Sequence, residues 1–260
     1  MDLPVVTLTP SQADLFDRCP LQYAARYVQR TVADMGQETP HTSMGESVHT
    51  CLYHFHKRGG HRRYARGDMA TLLDQCWRHD GYTDAEQEAA FRAKAGRMCA
   101  AYHAASREDM VHHLGHEVFL SAQVRLAGIR LRVRGKLDRL SVWPDGHLEV
   151  VDYKTGLAVS SGADLADALA PFLYLLLVRH AYPAYDRVDV SHLYLGSMAK
   201  VTIADDHERR LAGKERLLQA VAAIARGDFP PRPNAFCRLC PVRDTCPAAD
   251  ASEIEIDSLL

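Results

Sequence analysis

The sequence predicts an α/β protein whose N-terminal half is mostly helical. Three helix-start patterns lie within residues 1–110, whereas alternating and β-branched runs begin near residue 116. Strand and helix patterns then alternate through residues 111–228, which is typical of a sheet covered by helices. The chain has 260 residues, of which 47% are hydrophobic, so it can bury a substantial core, and we expect one domain over residues 1–260.

Capping boxes mark the predicted helix starts. Each pairs a serine or threonine with a glutamate or glutamine three residues later: Thr9 with Gln12, Ser43 with Glu46, and Thr83 with Glu86. Pro10 suits the first position of the first helix, which we expect to run towards Val28. The third helix is expected to end near Ser106.

The C-terminal half combines strands with helices. The predicted strands cover residues 117–124, 129–142, 148–153, 188–195 and 200–203, and the predicted helices cover residues 163–182 and 206–226. The run Pro144-Asp145-Gly146 predicts a turn, so the second and third strands are expected to form a hairpin.

The overall charge gives no general attraction to nucleic acid. There are 31 basic and 33 acidic residues, so any DNA binding must come from a local basic surface. The longest apolar run, residues 172–178, is too short to cross a bilayer, and Met1–Leu8 has no signal-peptide pattern. We therefore expect a cytoplasmic protein with no membrane partner.

Two acids and a lysine carry the strongest chemical pattern. Because side chains alternate along a strand, Asp152 and Lys154 are expected on one face and Val151 and Tyr153 on the other. The hairpin would bring Asp138 beside Asp152. Such a pair can hold Mg²⁺ or Mn²⁺ for phosphodiester hydrolysis, with Lys154 orienting water or stabilising negative charge. The alternative is a solvated acid and lysine on a surface hairpin.

The same residues resemble a known nuclease family. Gly135-x-x-Asp138 followed by Val151-Asp152-Tyr153-Lys154-Thr155-Gly156 is similar to the PD-(D/E)XK core, in the form typical of its RecB-like branch, which includes the CRISPR-associated adaptation nuclease and the AddB nuclease. The resemblance implies a restriction-endonuclease-like core over residues 111–228, with a central mixed sheet flanked by helices. It also implies DNA as the substrate, with a preference for single strands or ends.

Further site residues follow from this resemblance. His49, in Gly45-x-x-x-His49, is similar to a histidine that binds metal, and the main-chain carbonyl of Tyr153 would be another ligand. Tyr174 corresponds to a tyrosine that positions substrate, whereas Ala170 replaces the glutamine of that helix. Glu117 is expected near the site, either as a neighbour of the ligands or as a plain surface carboxylate.

Three C-terminal cysteines form a separate pattern, and a fourth ligand must come from elsewhere. Cys237, Cys240 and Cys246 lie in a proline-restricted loop, residues 229–250. The resemblance extends to an iron-sulfur subset, which implies that Cys19 joins them around a 4Fe-4S cluster that clamps the chain ends together. Four thiolates also suit zinc. The remaining cysteines, Cys51, Cys76 and Cys99, are expected in the core, and residues 251–260 as an acidic tail.

A basic row precedes the first acid. Strand alternation places four cationic side chains on the face of Asp138: Arg130, Arg132, Arg134 and Lys136. They are predicted to track a DNA backbone. The alternative is a solvated strand face, with DNA bound instead near Arg62, Arg63 and Arg66.

The sequence therefore favours a Mg²⁺- or Mn²⁺-dependent DNA nuclease, with an exonuclease more expected than an endonuclease. The alternative is a non-catalytic DNA-binding or scaffolding subunit of a helicase-nuclease or CRISPR adaptation complex. Retention of Asp138, Asp152 and Lys154 favours the enzyme. A redox protein is disfavoured because no flavin or nucleotide motif accompanies the cysteines. DNA repair is one of several processes that use such modules.

Overall fold

A mixed sheet lies at the centre of the computed structural model, which describes residues 5–31, 38–108, 111–156 and 159–249. The strands within these ranges are β1 (Val5–Leu8), β2 (His112–Leu126), β3 (Ile129–Val142), β4 (Leu148–Lys154), β5 (Val188–Tyr194) and β6 (Ala199–Ile203). The α/β class and the helix-flanked mixed sheet that the sequence predicted are confirmed.

Helices surround the sheet. The α-helices of the described residues are α1 (Pro10–Arg18), α2 (Pro20–Tyr23), α3 (Pro40–Lys57), α4 (Asp68–Cys76), α5 (Ala85–Ala105), α6 (Gly162–Asp167), α7 (Leu169–Ala181) and α8 (His207–Arg226). A π-helical turn, Ala24–Val28, extends α2. None of the helices in the described ranges has the length and apolar character needed to cross a membrane.

Strand β3 pairs with three other strands. Strand β2 pairs with β3 in antiparallel along the whole length of β3. On the opposite side, β1 pairs in parallel as far as Leu8 with Val133, and β4 pairs in antiparallel from Val151 with Arg139. Among the described strands, residues 134–138 therefore have no partner on that side. This gap in the sheet positions the candidate site.

The remaining strands complete an α/β arrangement. Strands β4 and β5 are parallel and are connected through α6 and α7, whereas β6 is antiparallel to β5. Helices α3, α4 and α5 pack against the face that carries Val151 and Tyr153. Helix α7 packs on the opposite face, against Leu148 and Val150. The alternation predicted for β4 is thus confirmed.

Helix starts agree with the sequence only in part. The Thr9 box is present, with Gln12 closing it. The Ser43 box was wrong, because α3 begins at Pro40 with Thr39 as its cap. Ser43 is buried inside the helix, where its hydroxyl donates to the carbonyl of Asp80 at 2.7 Å. The third predicted helix corresponds to α5, which ends at Ala105 as predicted, but Asp84 rather than Thr83 is its N-cap.

Two helices replace one predicted helix over residues 163–182. The chain leaves helical geometry at Ala168, and the amide of Leu169 then donates to Oδ2 of Asp17 at 2.8 Å. The turn at Pro144-Asp145-Gly146 and its hairpin are confirmed. Cys51 and Cys99 are buried in the helical core and Cys76 packs at its margin, as expected. The predicted tail, residues 251–260, lies outside the described residues.

Candidate active site

Asp138 lies in the gap of the sheet, between β4 and α3. Only 7% of it is exposed. Its Oδ2 accepts a hydrogen bond from the main-chain nitrogen of Tyr153 at 2.6 Å, and its Oδ1 lies 3.0 Å from Nδ1 of His49. The structure therefore brings the first predicted acid directly against the predicted histidine.

Asp152 forms the other half of the site, near the end of β4. Its Oδ1 accepts a hydrogen bond from the hydroxyl of Tyr174 at 3.0 Å, and its Oδ2 lies 2.7 Å from Nζ of Lys154. Burial acts to raise the pKa of Asp152, but Lys154 and the neighbouring histidines together outweigh it, so this pKa is lowered. Burial opposes the charge on Lys154 as well, yet Asp152 raises the Lys154 pKa. Both groups are therefore charged at neutral pH.

Glu117 is the site residue that the sequence left undecided. Donor atoms of Glu117, His49 and Asp138 all lie within 4.8 Å of one another, so these three side chains could hold a metal ion. Glu117 also forms an ion pair with Lys136. Its φ of 54° is left-handed, which costs a non-glycine residue on the order of 1–3 kcal/mol. This strained backbone conformation directs the Glu117 carboxylate towards the predicted ligands His49 and Asp138.

Side-chain alternation changes at the level of Asp138. Leu137 packs with Tyr174 beneath α7. Arg139 instead reaches the opposite face, where Nη1 donates to the hydroxyl of Tyr102 at 3.4 Å. In a regular strand, residues 137 and 139 would share a face. This irregularity in β3 lies beside Glu117, the residue of β2 with a left-handed backbone, and Asp138 lines the cleft at this point.

The predicted basic row is divided between two surface depressions. Its side chains alternate with buried Leu131 and Val133, as expected. Arg134 and Lys136 line the cleft that contains both acids. Two members border a separate depression beside Val5: Arg130 and Arg132. Burial alternates from Ile129 to Leu137, and the irregularity follows at Asp138, so Arg134, Lys136 and Asp138 line the same cleft.

Helix α7 delivers Tyr174 to the cleft. Burial, followed by the charge of Asp152, raises the pKa of Tyr174 well above its usual range, so the hydroxyl remains a donor. Ala170 lies one turn earlier and is buried. Its methyl group has no hydrogen-bonding atom, so it cannot make the polar contact that the resemblance implies for a glutamine at this position.

Sequence reasoning did not identify His192 as a neighbour of the site. It pairs in register with Asp152 across β4 and β5, with Nε2 3.7 Å from Oδ2 of Asp152. Burial lowers the pKa of His192 to about 4, so the ring is neutral at physiological pH. The available signal was a histidine between the apolar residues Val190 and Leu193 of a predicted strand.

The four predicted cluster cysteines line one pocket, between the N-terminal helices and the C-terminal loop. They are Cys19, Cys237, Cys240 and Cys246. Burial raises the pKa of the Cys240 thiol. The side-chain amide of Asn234 donates to the carbonyl of Arg18 at 3.3 Å, which helps to join the two chain regions. The structure thus assembles an all-sulfur set of potential ligands from distant parts of the sequence.

The mixed sheet and its cleft of acids and lysine define an α/β nuclease fold. The family model for the PD-(D/E)XK nuclease superfamily matches residues 7–247, and the chain belongs to this superfamily. Nucleases of this superfamily use divalent metals and act on DNA. No curated protein matches the chain significantly in sequence.

Two solved structures are similar over most of their length. The crystal structure of SSO0001 aligns with 94% of this chain and 86% of its own, with a TM-score of 0.48 and 12% identity. A candidate exonuclease from Eubacterium rectale aligns with 96% of this chain and 89% of its own, with a TM-score of 0.48 and 10% identity.

Proposed function

We propose that the protein is a Mg²⁺- or Mn²⁺-dependent deoxyribonuclease that acts as an exonuclease on single-stranded DNA or DNA ends. It would act in the cytoplasm, either alone or with a helicase or CRISPR adaptation partner. Asp138 and Asp152 line one cleft, and Lys154 is paired with Asp152 at 2.7 Å; this arrangement carries the proposal. A non-catalytic scaffold would have no need for the two acids and the lysine together. Their retention supports an enzyme.

The donor set of the cleft fits a hard divalent cation. His49, Glu117 and Asp138 offer closely spaced donor atoms, and Asp152 with the main-chain carbonyl of Tyr153 would complete the proposed set. Oxygen-rich sites suit Mg²⁺ and Mn²⁺. When bound, such an ion would neutralise charge on the phosphate and lower the pKa of a water molecule.

Lys154 and Tyr174 would prepare the cleft for reaction. The raised pKa of Lys154 keeps its ammonium charged, so it can stabilise negative charge that develops on the phosphate. The Tyr174 hydroxyl fixes the orientation of the Asp152 carboxylate. Both groups are already in place without substrate, which reduces the reorganisation needed during the reaction.

End-labelled single- and double-stranded DNA, with Mg²⁺, Mn²⁺ or EDTA, tests the proposed activity. Asp152→Asn and Lys154→Met should each slow cleavage by at least about 100-fold, because each removes a preorganised charge. Asp145→Asn changes an exposed acid of the hairpin turn and should cleave like the wild type. Cleavage in EDTA, or full activity of Asp152→Asn, would contradict the mechanism. Circular single-stranded DNA should resist cleavage if the enzyme requires ends.

We also infer that the four pocket cysteines hold a 4Fe-4S cluster, as in the iron-sulfur subset of RecB-like nucleases. Four thiolates from one pocket suit either a 4Fe-4S cluster or a structural zinc ion. The resemblance to the iron-sulfur subset favours the cluster.

Purification without air tests the cluster. The protein should be brown and contain about four iron atoms per chain. Cys240→Ser should lose colour and stability, whereas Cys76→Ser, outside the pocket, should keep both. A colourless protein with one zinc ion per chain would overturn the assignment.

The basic row is proposed to guide the DNA backbone towards the cleft. Exposed cations at Arg134 and Lys136, beside the acids, support this route. The double variant Arg132→Ala/Arg134→Ala should flatten the slope of log affinity against log salt by about two units, with little change in cleavage at saturating DNA. The charge-matched control is Arg62→Ala/Arg63→Ala. A slope that changes only in the control would move the DNA track away from the row.

A further inference from the structure

Three histidines converge on the face of the sheet that carries α3 and α5. His56 extends from α3, whereas His113 and His116 extend from β2, and a ring nitrogen of each lies within 4.8 Å of the others. The rings of His56 and His116 stack with centroids 4.0 Å apart. His113 meets both rings at 5.0 Å. The group contains imidazoles alone, unlike the carboxylate-rich catalytic cleft.

An irregularity in β2 brings two of these histidines together. His113 and His116 are three residues apart and would face opposite sides of a regular strand. The pairing register with β3 shifts between His113 and Gly115, and such a bulge reorients the following side chains. Both rings consequently reach His56. An ideal Cβ on Gly115 would lie 2.6 Å from Cγ2 of Val118, so the bulge leaves no room for a side chain at this position.

The hydrogen bonds of the group resemble those that orient metal-binding imidazoles. Nε2 of His56 lies 2.7 Å from the Tyr102 hydroxyl, and Nδ1 of His113 lies 2.9 Å from the Ser141 hydroxyl. In metal sites, such contacts to one ring nitrogen hold the other nitrogen towards the ion. Nδ1 of His116 is buried and has no hydrogen-bond partner among the described residues. A buried nitrogen without a partner requires an explanation, and a bound metal ion is one that fits the convergence of the three rings.

Two of the imidazoles are also in the protonation state that metal binding requires. Burial, followed by the repulsion that nearby imidazoles and Arg139 would exert on a protonated ring, lowers the pKa of His56 to about 2 and that of His116 to about 3. Both rings are therefore neutral at physiological pH, with lone pairs available.

We propose that His56, His113 and His116 bind one borderline transition-metal ion, with Zn²⁺ as the best fit, at a site separate from the catalytic cleft. Imidazole nitrogen suits Zn²⁺, whereas Mg²⁺ prefers oxygen. Tetrahedral coordination needs donor nitrogens about 3.3 Å apart, a separation that falls within the 4.8 Å limit on the distances between these ring nitrogens. The fourth position would be open to water.

The proposed site is connected to the catalytic cleft by hydrogen bonds. The Tyr102 hydroxyl, in contact with His56, lies 2.7 Å from the Tyr153 hydroxyl. The main chain of Tyr153 in turn holds Asp138. An ion bound to the histidines would therefore restrict the segment that positions a catalytic acid.

Zinc added to the chelator-treated full-length protein provides the test. Anomalous diffraction at the zinc edge should show an ion between the three rings, and X-ray absorption should contain a nitrogen shell at about 2.0–2.1 Å. Zinc held by the cysteines would instead give sulfur at about 2.3 Å. This test uses the wild-type protein, and absence of an ion between the rings at saturating zinc would overturn the proposal.

Matched variants give a second measurement. His116→Leu should bind one zinc ion fewer per chain, because it removes a ligand whose Nδ1 has no other partner. His54→Ala, on the same helix as His56 but outside the group, should bind as much as the wild type. Asp152→Asn should also keep this ion, so loss of nuclease activity and loss of zinc are separate outcomes. Equal zinc in His116→Leu and the wild type would contradict the site.

Discussion

The close approach of α8 to α7 depends on Gly213. An ideal Cβ at this position would lie 2.3, 2.6 and 2.8 Å from three ring atoms of Phe172. Gly213→Ala gains about 1 kcal/mol of helix propensity, but overpacking typically costs about 1–3 kcal/mol. We therefore expect the free energy of unfolding to fall by up to about 2 kcal/mol. Phe172 is two residues from Tyr174, so cleavage should slow as well.

Gly96→Ala is the matched control for this prediction. Gly96 is also inside a helix, α5, but nothing lies within 4 Å of its ideal Cβ. This variant should gain about 1 kcal/mol. The two variants should then differ by about 1–3 kcal/mol, or roughly 2–12 °C in Tm for a chain of this size. Calorimetry measures the difference, and equal Tm values would refute the close contact between the helices.

Two further changes test the site and its support. Tyr174→Phe removes a hydrogen bond to the Asp152 carboxylate that is worth about 1.5–3 kcal/mol. Single-turnover cleavage should therefore slow by roughly 10–100-fold. A wild-type rate would contradict the role of Tyr174 in positioning Asp152. Burial acts to raise the pKa of Glu149, but Ser191 and Lys200 outweigh it and lower the pKa below the ordinary 4.5. The stabilisation by Glu149 is therefore complete above about pH 4.5 and is lost as the pH falls through the lower folded-state pKa. Urea unfolding should show a larger loss of stability between pH 7 and about pH 3 for the wild type than for Glu149→Gln, and parallel losses would refute this account.

Local sequence patterns predicted the hairpin and the placement of its acids. The Pro144-Asp145-Gly146 turn depends on adjacent residues, and the two-residue period of β4 fixes Asp152 and Lys154 on one face. These features require no knowledge of distant contacts. The same holds for the Thr9 cap, whose partner is three residues away.

Distant contacts explain what the sequence did not predict. The break at Ala168 is accompanied by a hydrogen bond from Leu169 to Asp17, 152 residues away. The position of Ser43 inside α3 is stabilised by the carbonyl of Asp80. The left-handed conformation of Glu117 has no local pattern, because it is imposed within a strand by the surrounding sheet.

Helix α1 depends on residues that the ribosome makes much later. Oδ1 of Asp17 accepts a hydrogen bond from Arg216, 199 positions further along the chain. At about 5–20 residues per second, this interval takes roughly 10–40 s to synthesise. Throughout that time the core that encloses Leu15 and Phe16 is incomplete, because α8 supplies part of it. The N-terminal segment therefore stays accessible to chaperones until α8 has been synthesised and can complete this core.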